Sequence, residues 1–281
     1  MKTPRHLLNN LKQQGLEPYY LSVGKRLLFE MLFELQLDLF KHMDEGISEA
    51  FVEQFELNVQ KMLRDEPLGY ILGFEWFYGY KMIVNKHVLI PRSETEELIG
   101  HVCADIDDYF SNENIVICDI ATGSGAIAVA LKKENPQAIV FASDISHDAI
   151  NVAKENAHIN DAEIEFFIGD MALPLIDRNI KVDVCVCNPP YIRSNEDIEL
   201  SVKDYEPHIA LFGGVDGLDL YRRLLDQLPL ILNKRAVVAF EIGYDQKDAL
   251  LDEIYSRYQD VIVKTKKDIN HKDRMIFIYF N

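Results

Sequence analysis

Apolar residues recur at helical spacing along the front of the chain and at strand spacing behind it. Leu7, Leu8 and Leu11 follow Thr3 and Pro4, a cap and a first-turn proline, and that run ends before Gly15. A second stripe carries Leu27, Leu28, Met31, Leu32 and Leu35. A third opens at Ser48 and puts Phe51, Phe55, Val59, Met62 and Leu63 on one face. Stripes of this kind are core, so no cofactor site is expected among them. Residues 74–90 are dense in aromatic and β-branched side chains, with Gly79 near the middle, which predicts a strand pair. From residue 115 onward, short apolar strands (115–120, 138–143, 164–168 and 182–187) alternate with helical runs at 126–131 and 146–160. Ser146 serves as the N-cap of the latter, with Asp148 in its first turn. Residues 218–232 and 246–258 read as helices, 236–241 as a strand, and 261–265 with 274–279 as a closing pair. No repeat or low-complexity segment interrupts the pattern.

Strands alternating with helices predict an α/β fold. The expected architecture is a Rossmann-like, doubly wound, mostly parallel sheet whose last strands include an antiparallel member, preceded by a small all-helical domain and a linking β-hairpin. The expected division is 1–74 helical, 75–95 hairpin linker and 96–281 sheet domain.

Composition narrows the classes of function. With 281 residues, 48% apolar and 27% charged, the chain has material for a substantial core and two domains. No apolar stretch is long enough to span a bilayer, and the first ten residues lack the apolar block of a signal peptide, so a cytoplasmic protein without a membrane partner is expected. Cys103, Cys118, Cys185 and Cys187 have no metal-ligand spacing, and the last three fall in predicted strands, where core packing is the expected role. A net charge of −17 argues against unaided binding to nucleic acid, whose affinity comes largely from lysine and arginine replacing counterions on phosphate. The basic run Lys264-Thr265-Lys266-Lys267 is read as a solvated edge.

The candidate chemistry sits at strand ends. The first strand runs into Ala121-Thr122-Gly123-Ser124-Gly125 and then a helix, a turn whose glycines allow close backbone approach and whose free amides favour an anionic group. A plain tight turn accounts for that pentapeptide equally well on its own. The second strand ends at Asp144, about 25 residues beyond Asp119, where a βαβ unit places the acidic residue for ribose hydroxyls. The third leads to Gly169-Asp170, a carboxylate for an adenine amine or a solvated turn aspartate. The fourth ends at Asn188-Pro189-Pro190-Tyr191. There the asparagine oxygen and a backbone carbonyl can accept hydrogen bonds from one amide or aromatic amine, an aromatic ring can cover its flat face, and two prolines stiffen the loop. Taken alone, this tetrapeptide is balanced between that role and a strand-ending turn. Four consecutive strands that each deliver a polar group at the carboxyl end form a far stronger pattern, because an open α/β sheet binds ligand along that edge.

These residues resemble the S-adenosylmethionine-dependent methyltransferases, and one branch in particular, the release factor glutamine methyltransferases. The resemblance extends to Glu66-Pro67-Leu68-Gly69-Tyr70-Ile71-Leu72-Gly73, Ile90-Pro91-Arg92-Ser93-Glu94-Thr95-Glu96, Glu206-Pro207 with Ala210-Leu211, Glu241 with Gly243, and Asp273-Arg274. It implies methyl transfer from S-adenosylmethionine, leaving S-adenosylhomocysteine, to the side-chain amide of the glutamine in the Gly-Gly-Gln motif of class 1 peptide chain release factors. It also implies that the helical front of the chain recognises that protein. Ala121 to Gly125 would hold the methionine part, Asp144 the ribose, and Asp170 with Met171 the adenine, while Asn188 borders the cofactor. Two positions depart from the family pattern. Ala121 stands where a glycine is more usual, which requires negative φ there, and Ser93 stands where a second proline is usual.

In the mechanism this implies, Asn188 and the Pro189 carbonyl take the two amide hydrogens, Tyr191 packs on the amide plane, and Pro190 stiffens the substrate loop. No general base is required, and His147, His208 and His271 are read as surface or structural residues. Arg92, Glu94, Thr95 and Glu96 line the mouth of the site, or Arg92 and Glu96 pair with each other. A nucleic-acid amine methyltransferase is the rival enzyme, since the same loop suits an exocyclic amine, but it would normally need a basic face and a base-flipping route. A catalytically silent adaptor is the rival of a different class.

Overall fold

The structure, a computed structural model, describes residues 1–110 and 114–281 and divides into two compact units, Met1–Phe74 with Ile198–Tyr205, and Glu75–Asp197 with Glu206–Asn281.

In the first unit, α1 (Pro4–Gln13), α2 (Pro18–Glu34), α3 (Glu49–Met62) and the short α4 (Leu68–Leu72) gather around Leu7, Leu11, Leu27, Leu28, Leu32, Phe55 and Met62, all buried. Thr3 caps α1 by accepting from the amide of His6, and Ser48 caps α3 by accepting from that of Phe51. Leu35 and Leu63 were expected on the inward stripes, yet both are exposed. Each is the C-cap residue of its helix, where the chain leaves the helical path and the periodicity no longer applies.

Next along the chain are β1 (Phe74–Phe77), which from Glu75 belongs to the second unit, and β2 (Tyr80–Ile83), joined at Tyr78 and Gly79. Both turn residues have positive φ (51° and 81°), the two-residue geometry that matches the twist of a hairpin. Next comes α5 (Ser93–Tyr109), a helix the sequence reading did not anticipate. The remaining elements in chain order are β3 (Val116–Ile120), α6 (Ala126–Glu134), β4 (Ile139–Asp144), α7 (His147–Ile159), β5 (Glu165–Ile168), α8 (Leu173–Ile176), β6 (Val182–Cys187), α9 (Leu200–Tyr205, which belongs to the first unit), α10 (Asp219–Ile231), β7 (Leu232–Glu241), α11 (Lys247–Arg257), β8 (Ile262–Lys267) and β9 (Asp273–Phe280). No helix among the described residues is long and apolar enough to cross a membrane.

Seven strands form one sheet in the order β5-β4-β3-β6-β7-β9-β8. The first five in that order pair in parallel, whereas β9 runs antiparallel to both β7 and β8, as expected for a doubly wound sheet with an antiparallel closing member. Parallel strands covered on both faces read as continuous apolar runs, and β6 does: Val184 and Val186 face one layer, Cys185 and Cys187 the other. The first layer contains Leu98, Ile99 and Val102 of α5 with Ala126 to Leu131 of α6. The second contains Tyr221, Leu224, Leu225 and Leu228 of α10 with Leu250 and Ile254 of α11. Cys118, Cys185 and Cys187 are fully buried in it, the packing role expected for them.

Gly125 initiates α6 at φ 79°, and a Cβ there would lie 2.9 Å from the Cβ and 3.1 Å from the Cα of Ala153 on α7. Its bare backbone therefore serves the close approach of two helices. Gly125→Ala is expected to lower stability by about 2–3 kcal/mol, combining left-handed strain with that overlap. A loss under about 0.5 kcal/mol in urea unfolding would contradict the packing role.

β3 also carries a carboxyl into the core. Asp119 is fully buried; one oxygen accepts from Thr122 Oγ1 and from the amide of Ala128 at 3.2 Å, and Oδ1 has no hydrogen-bond partner. Burial pushes its pKa up to about 7, with Asp144 adding to the rise and the two hydrogen bonds opposing it. Because the folded protein then holds this proton more tightly than the unfolded chain, the stabilising contribution is complete below about pH 4 and is lost as pH rises through 7. Asp119→Asn has no such proton, so its stability relative to the unsubstituted protein is expected to improve by on the order of 3–4 kcal/mol between pH 4 and pH 8. Chemical denaturation at the two pH values measures the difference, and a constant or opposite difference would rule out the buried neutral acid.

Candidate active site

The chain reverses its winding between β3 and β6, and at such a switch point the loops leaving adjacent parallel strands part to form a crevice at their carboxyl ends. A cavity of about 320 Å³ lies there, within the size range of small-molecule sites. Its wall includes Ala121, Thr122, Gly123 and Ser124 after β3, Asp144 at the end of β4, Asp170 and Met171 after β5, and Asn188 and Pro190 after β6. The structure thus brings together nearly all the residues that the strand-end pattern singled out.

Asp119, the polar residue of the first strand, is buried in the core instead, and three residues of the two loops do not line the cavity either. Gly125 stands behind the turn against Ala153. Pro189 is buried, and it is Pro190 that reaches the wall. Tyr191 packs against the hydrophobic layer of Leu218, Tyr221 and Phe240, and burial pushes its hydroxyl up to about 12.

Local geometry corrects several further expectations. Ala121 has φ 59°, left-handed rather than negative, so the turn tolerates a Cβ in a conformation that favours glycine at a cost of about 1 kcal/mol or more. Asp144 is engaged by the protein itself, accepting from the amides of Gly123 (2.9 Å) and Ser146 (2.8 Å); burial nonetheless raises its pKa. With two oxygens, the carboxylate still keeps a lone pair for a hydroxyl. Asp170 is paired with Arg223, whose Nη1 donates to both carboxylate oxygens at 2.7 and 2.9 Å, and both residues line the cavity. Arg92 does not pair with Glu96. It donates to the buried Glu206, while Glu96 accepts from the amide of Tyr78 at 2.6 Å. Ser93 occupies the first position of α5, where proline is also favoured, which accounts for that departure from the family pattern.

Wall residues that the sequence did not suggest come mainly from two stretches, with Ile127 of α6 and Ile145 and Ala149 after β4 joining them. Phe77, His87, Val88 and Leu89 lie in and after the hairpin, and Ile209, Phe212, Leu220 and Arg223 follow the Asn188 loop. The pattern predicts the strand that carries Phe77 and the helix that carries Leu220 and Arg223, but not their place on the wall, and no motif marks His87, Val88, Leu89, Ile209 or Phe212. The second stretch also clamps the loop, the amide of Ile192 donating to Leu211 O at 3.0 Å and that of Gly213 to Ile192 O at 2.9 Å; from before α11, Gln246 Nε2 adds a bond to Tyr191 O at 2.9 Å. A Cβ on Gly213 would stand 2.3 Å from the carbonyl oxygen of Pro190, so the clamp requires glycine there.

Behind Asn188, Thr95 of α5 and Glu241 at the end of β7 complete the arrangement. Thr95 Oγ1 donates to Glu241 Oε2 at 2.6 Å and accepts from Asn188 Nδ2 at 3.2 Å. Burial pushes Glu241 up to about 7, against the opposing effects of Thr95, Arg274 and Asn188.

Comparison with known proteins identifies the family. Residues 106–204 match the methyltransferase small domain family. A release factor glutamine methyltransferase of Bacillus cereus is 42% identical over 258 residues, covering 91% of each chain, and one of Staphylococcus aureus is 38% identical over 267 residues, covering 94% of this chain and 93% of that one. The solved structure of a methyltransferase from Pyrococcus furiosus superposes with a TM-score of 0.52 at 16% identity, over 79% of this chain and 96% of the other, a likeness of fold alone. Identity at this level across nearly the full length, with the strand-end residues gathered on one cavity, places the chain in the release factor glutamine methyltransferase family.

Proposed function

We propose that the protein transfers a methyl group from S-adenosylmethionine to the side-chain amide nitrogen of the glutamine in the Gly-Gly-Gln motif of class 1 peptide chain release factors. The observation that carries this reading is the position of Asn188 on the wall of the cavity, on a loop clamped by Gly213 and Gln246, beside the turn of residues 121–124.

The residues present fit the cofactor. A Cβ on Gly123 would meet nothing within 4 Å, so its absence leaves room along the turn. Asp144 offers carboxylate lone pairs to the ribose, and Phe77, Ile145 and Leu220 supply apolar wall. Asp170 reaches an adenine amine while shared with Arg223, or after releasing it. When bound, S-adenosylmethionine supplies an electrophilic methyl group on its sulfonium.

The remaining chemistry belongs to the chain. An amide nitrogen is a poor nucleophile because its lone pair is delocalised into the carbonyl. Asn188 Oδ1 accepting one amide hydrogen, and the main-chain carbonyl of Pro189, between the wall residues Asn188 and Pro190, the other, favours the geometry in which that pair turns toward the methyl and stabilises the positive charge growing on nitrogen. With S-adenosylmethionine bound, the carbon–sulfur bond would break as the nitrogen–carbon bond forms, its electrons staying on sulfur. The cationic nitrogen then releases its extra proton to solvent, so no strong base is needed. Pro189 and Pro190 contribute no N–H that would present a donor to the substrate's own hydrogens. The helical first unit is the region assigned to recognition of the release factor. The net charge of −17 favours a protein over a polyanion as substrate.

Incubation with labelled S-adenosylmethionine and purified release factor is expected to label one glutamine, located by peptide mass measurement. Asn188→Ala is expected to lower kcat/KM by about 100-fold or more while the affinity for S-adenosylhomocysteine stays within about threefold. Label appearing only in nucleic acid, or full transfer by Asn188→Ala, would overturn the proposal.

A further inference from the structure

We propose that Glu241, acting through the Thr95 hydroxyl, is a positioning residue that fixes which end of the Asn188 amide faces the reacting nitrogen. The proposal rests on the function above and deepens it.

Three elements distant in sequence meet at this point: α5 brings Thr95, the loop after β6 brings Asn188, and the end of β7 brings Glu241. Glu241 is 2% exposed and Thr95 5%, so bulk water does not compete for their hydrogen bonds. A carboxylate only accepts. The Thr95 hydroxyl therefore gives its proton to Glu241 Oε2 at 2.6 Å, and its lone pairs face Asn188, where only the amide nitrogen can donate to them, at 3.2 Å. The ionised carboxylate also favours the nitrogen end of the amide on this side. One amide hydrogen thus has its acceptor on the protein side, the Thr95 hydroxyl. Among the described residues no donor reaches Asn188 Oδ1, the atom that must receive a substrate N–H.

An asparagine oxygen and nitrogen differ little in size, so packing alone does not choose between the two orientations of the amide. Direction of hydrogen bonding does. If position 241 becomes neutral and donates, Thr95 accepts from it and turns its own proton toward Asn188, which can receive it only on Oδ1. The amide then presents NH2 to the substrate, donor against donor, and the acceptor for the developing cation is lost.

The groups that face the Glu241 carboxyl are Glu94 on the helix of Thr95, Arg274 on β9, Tyr191 on the substrate loop, and Tyr221 on α10, whose hydroxyl donates to the Glu241 main-chain carbonyl at 2.6 Å. Burial and Glu94 favour the neutral acid, Arg274 and the Thr95 and Asn188 hydrogen bonds the ionised one, and the carboxyl is pushed up to about 7. An acid raised in this way is ionised above that pH, so the productive orientation is present above about pH 7 and is lost as pH falls through it.

The experiment compares steady-state methylation of purified release factor by the full chain with its Glu241→Gln, Thr95→Val, Thr95→Ser and doubly substituted Thr95→Val/Glu241→Gln forms, alongside calorimetric binding of S-adenosylhomocysteine. Glu241→Gln and Thr95→Val are each expected to lower kcat about 10- to 100-fold at pH 8, with KM and product affinity within about threefold, and the double variant no more than about twofold below the worse single. Thr95→Ser is expected to recover most of what Thr95→Val loses. The unsubstituted enzyme is expected to lose kcat below pH 7 along a limb that is absent in Glu241→Gln.

Any of four results would overturn the relay: undiminished kcat in Glu241→Gln, losses that multiply in the double variant, a serine as damaging as the valine, or an acid limb that persists in Glu241→Gln. Should Glu241→Gln fail to fold, the contrast between valine and serine at position 95 decides. An unsubstituted enzyme that leaves the release factor glutamine unmodified would instead defeat the function proposed above. An active one with indifferent variants would defeat only the relay.

Discussion

Parallel pairing of β3 with β6 governs the site. Ile120 lies opposite Cys187 in the register, so the two strands end level with each other and their loops leave from neighbouring points on the sheet edge. Adjacent strands are about 4.8 Å apart. The turn that begins at Ala121 and the loop that begins at Asn188 are therefore brought side by side by backbone hydrogen bonding, before any side-chain preference acts. A one-residue slip would exchange the faces of β6, sending Cys185 and Cys187 into the layer now filled by Val184 and Val186, and would withdraw Asn188 from the cavity. The burial that holds the sheet together also fixes the chemistry.

That arrangement places carboxyl groups where water is scarce. Asp119 and Glu241 both sit at strand ends with their pKa values pushed up to about 7, and a group in that position is a net cost to stability once ionised. Their partners differ in kind. Asp119 is bonded to Thr122 and Ala128, which belong to its own turn and helix, so it braces the turn. Glu241 is bonded to Thr95, which in turn holds a side chain on the cavity wall, so its influence reaches the reacting atoms. Two buried acids with similar acidity thus have separate structural consequences, decided by what each one touches.

The sheet and its strand-end residues were legible because they obey local rules. Apolar runs of strand length, glycine turns and a polar residue closing each strand can be read in windows of a few residues. Helix α5 is not anticipated although Leu98, Ile99, Val102 and Ile106 have the right spacing, because the residues opening it, Ser93 to Glu96, are read for their place at the mouth of the site rather than for their period. Pairings across long separations were not legible at all. Thr95 and Glu241 are 146 positions apart, and Arg92 and Glu206 are 114 apart. Nothing in either segment specifies the other until the sheet order brings β7 beside β6 and α5 across their ends. The left-handed conformation of Ala121 was missed for a related reason. An alanine states no preference for positive φ, and the surrounding turn imposes it, with the amide of Thr122 donating to Ser143 O at 3.0 Å and that of Gly123 to Asp144.

The proline pair poses a problem that the rest of the fold solves. Without N–H groups at 189 and 190, the loop cannot be anchored by its own donors, and its carbonyls and the neighbouring amides must be held from outside. Gln246, 3% exposed, does much of this: its Oε1 accepts from the amide of Gly243 at 2.9 Å while its Nε2 donates to Tyr191 O at 2.9 Å. The end of β7 is thereby tied to the substrate loop by one buried side chain, and Glu241 lies two residues before Gly243 on the same strand end. One short stretch of backbone therefore sets the path of the loop through Gln246 and the orientation of Asn188 through Thr95. A shift of that strand end would disturb both together. Because each prolyl residue also restricts the conformation of the residue before it, the loop cannot yield by local rotation, and the error would pass undiminished to the amide that has to meet the substrate.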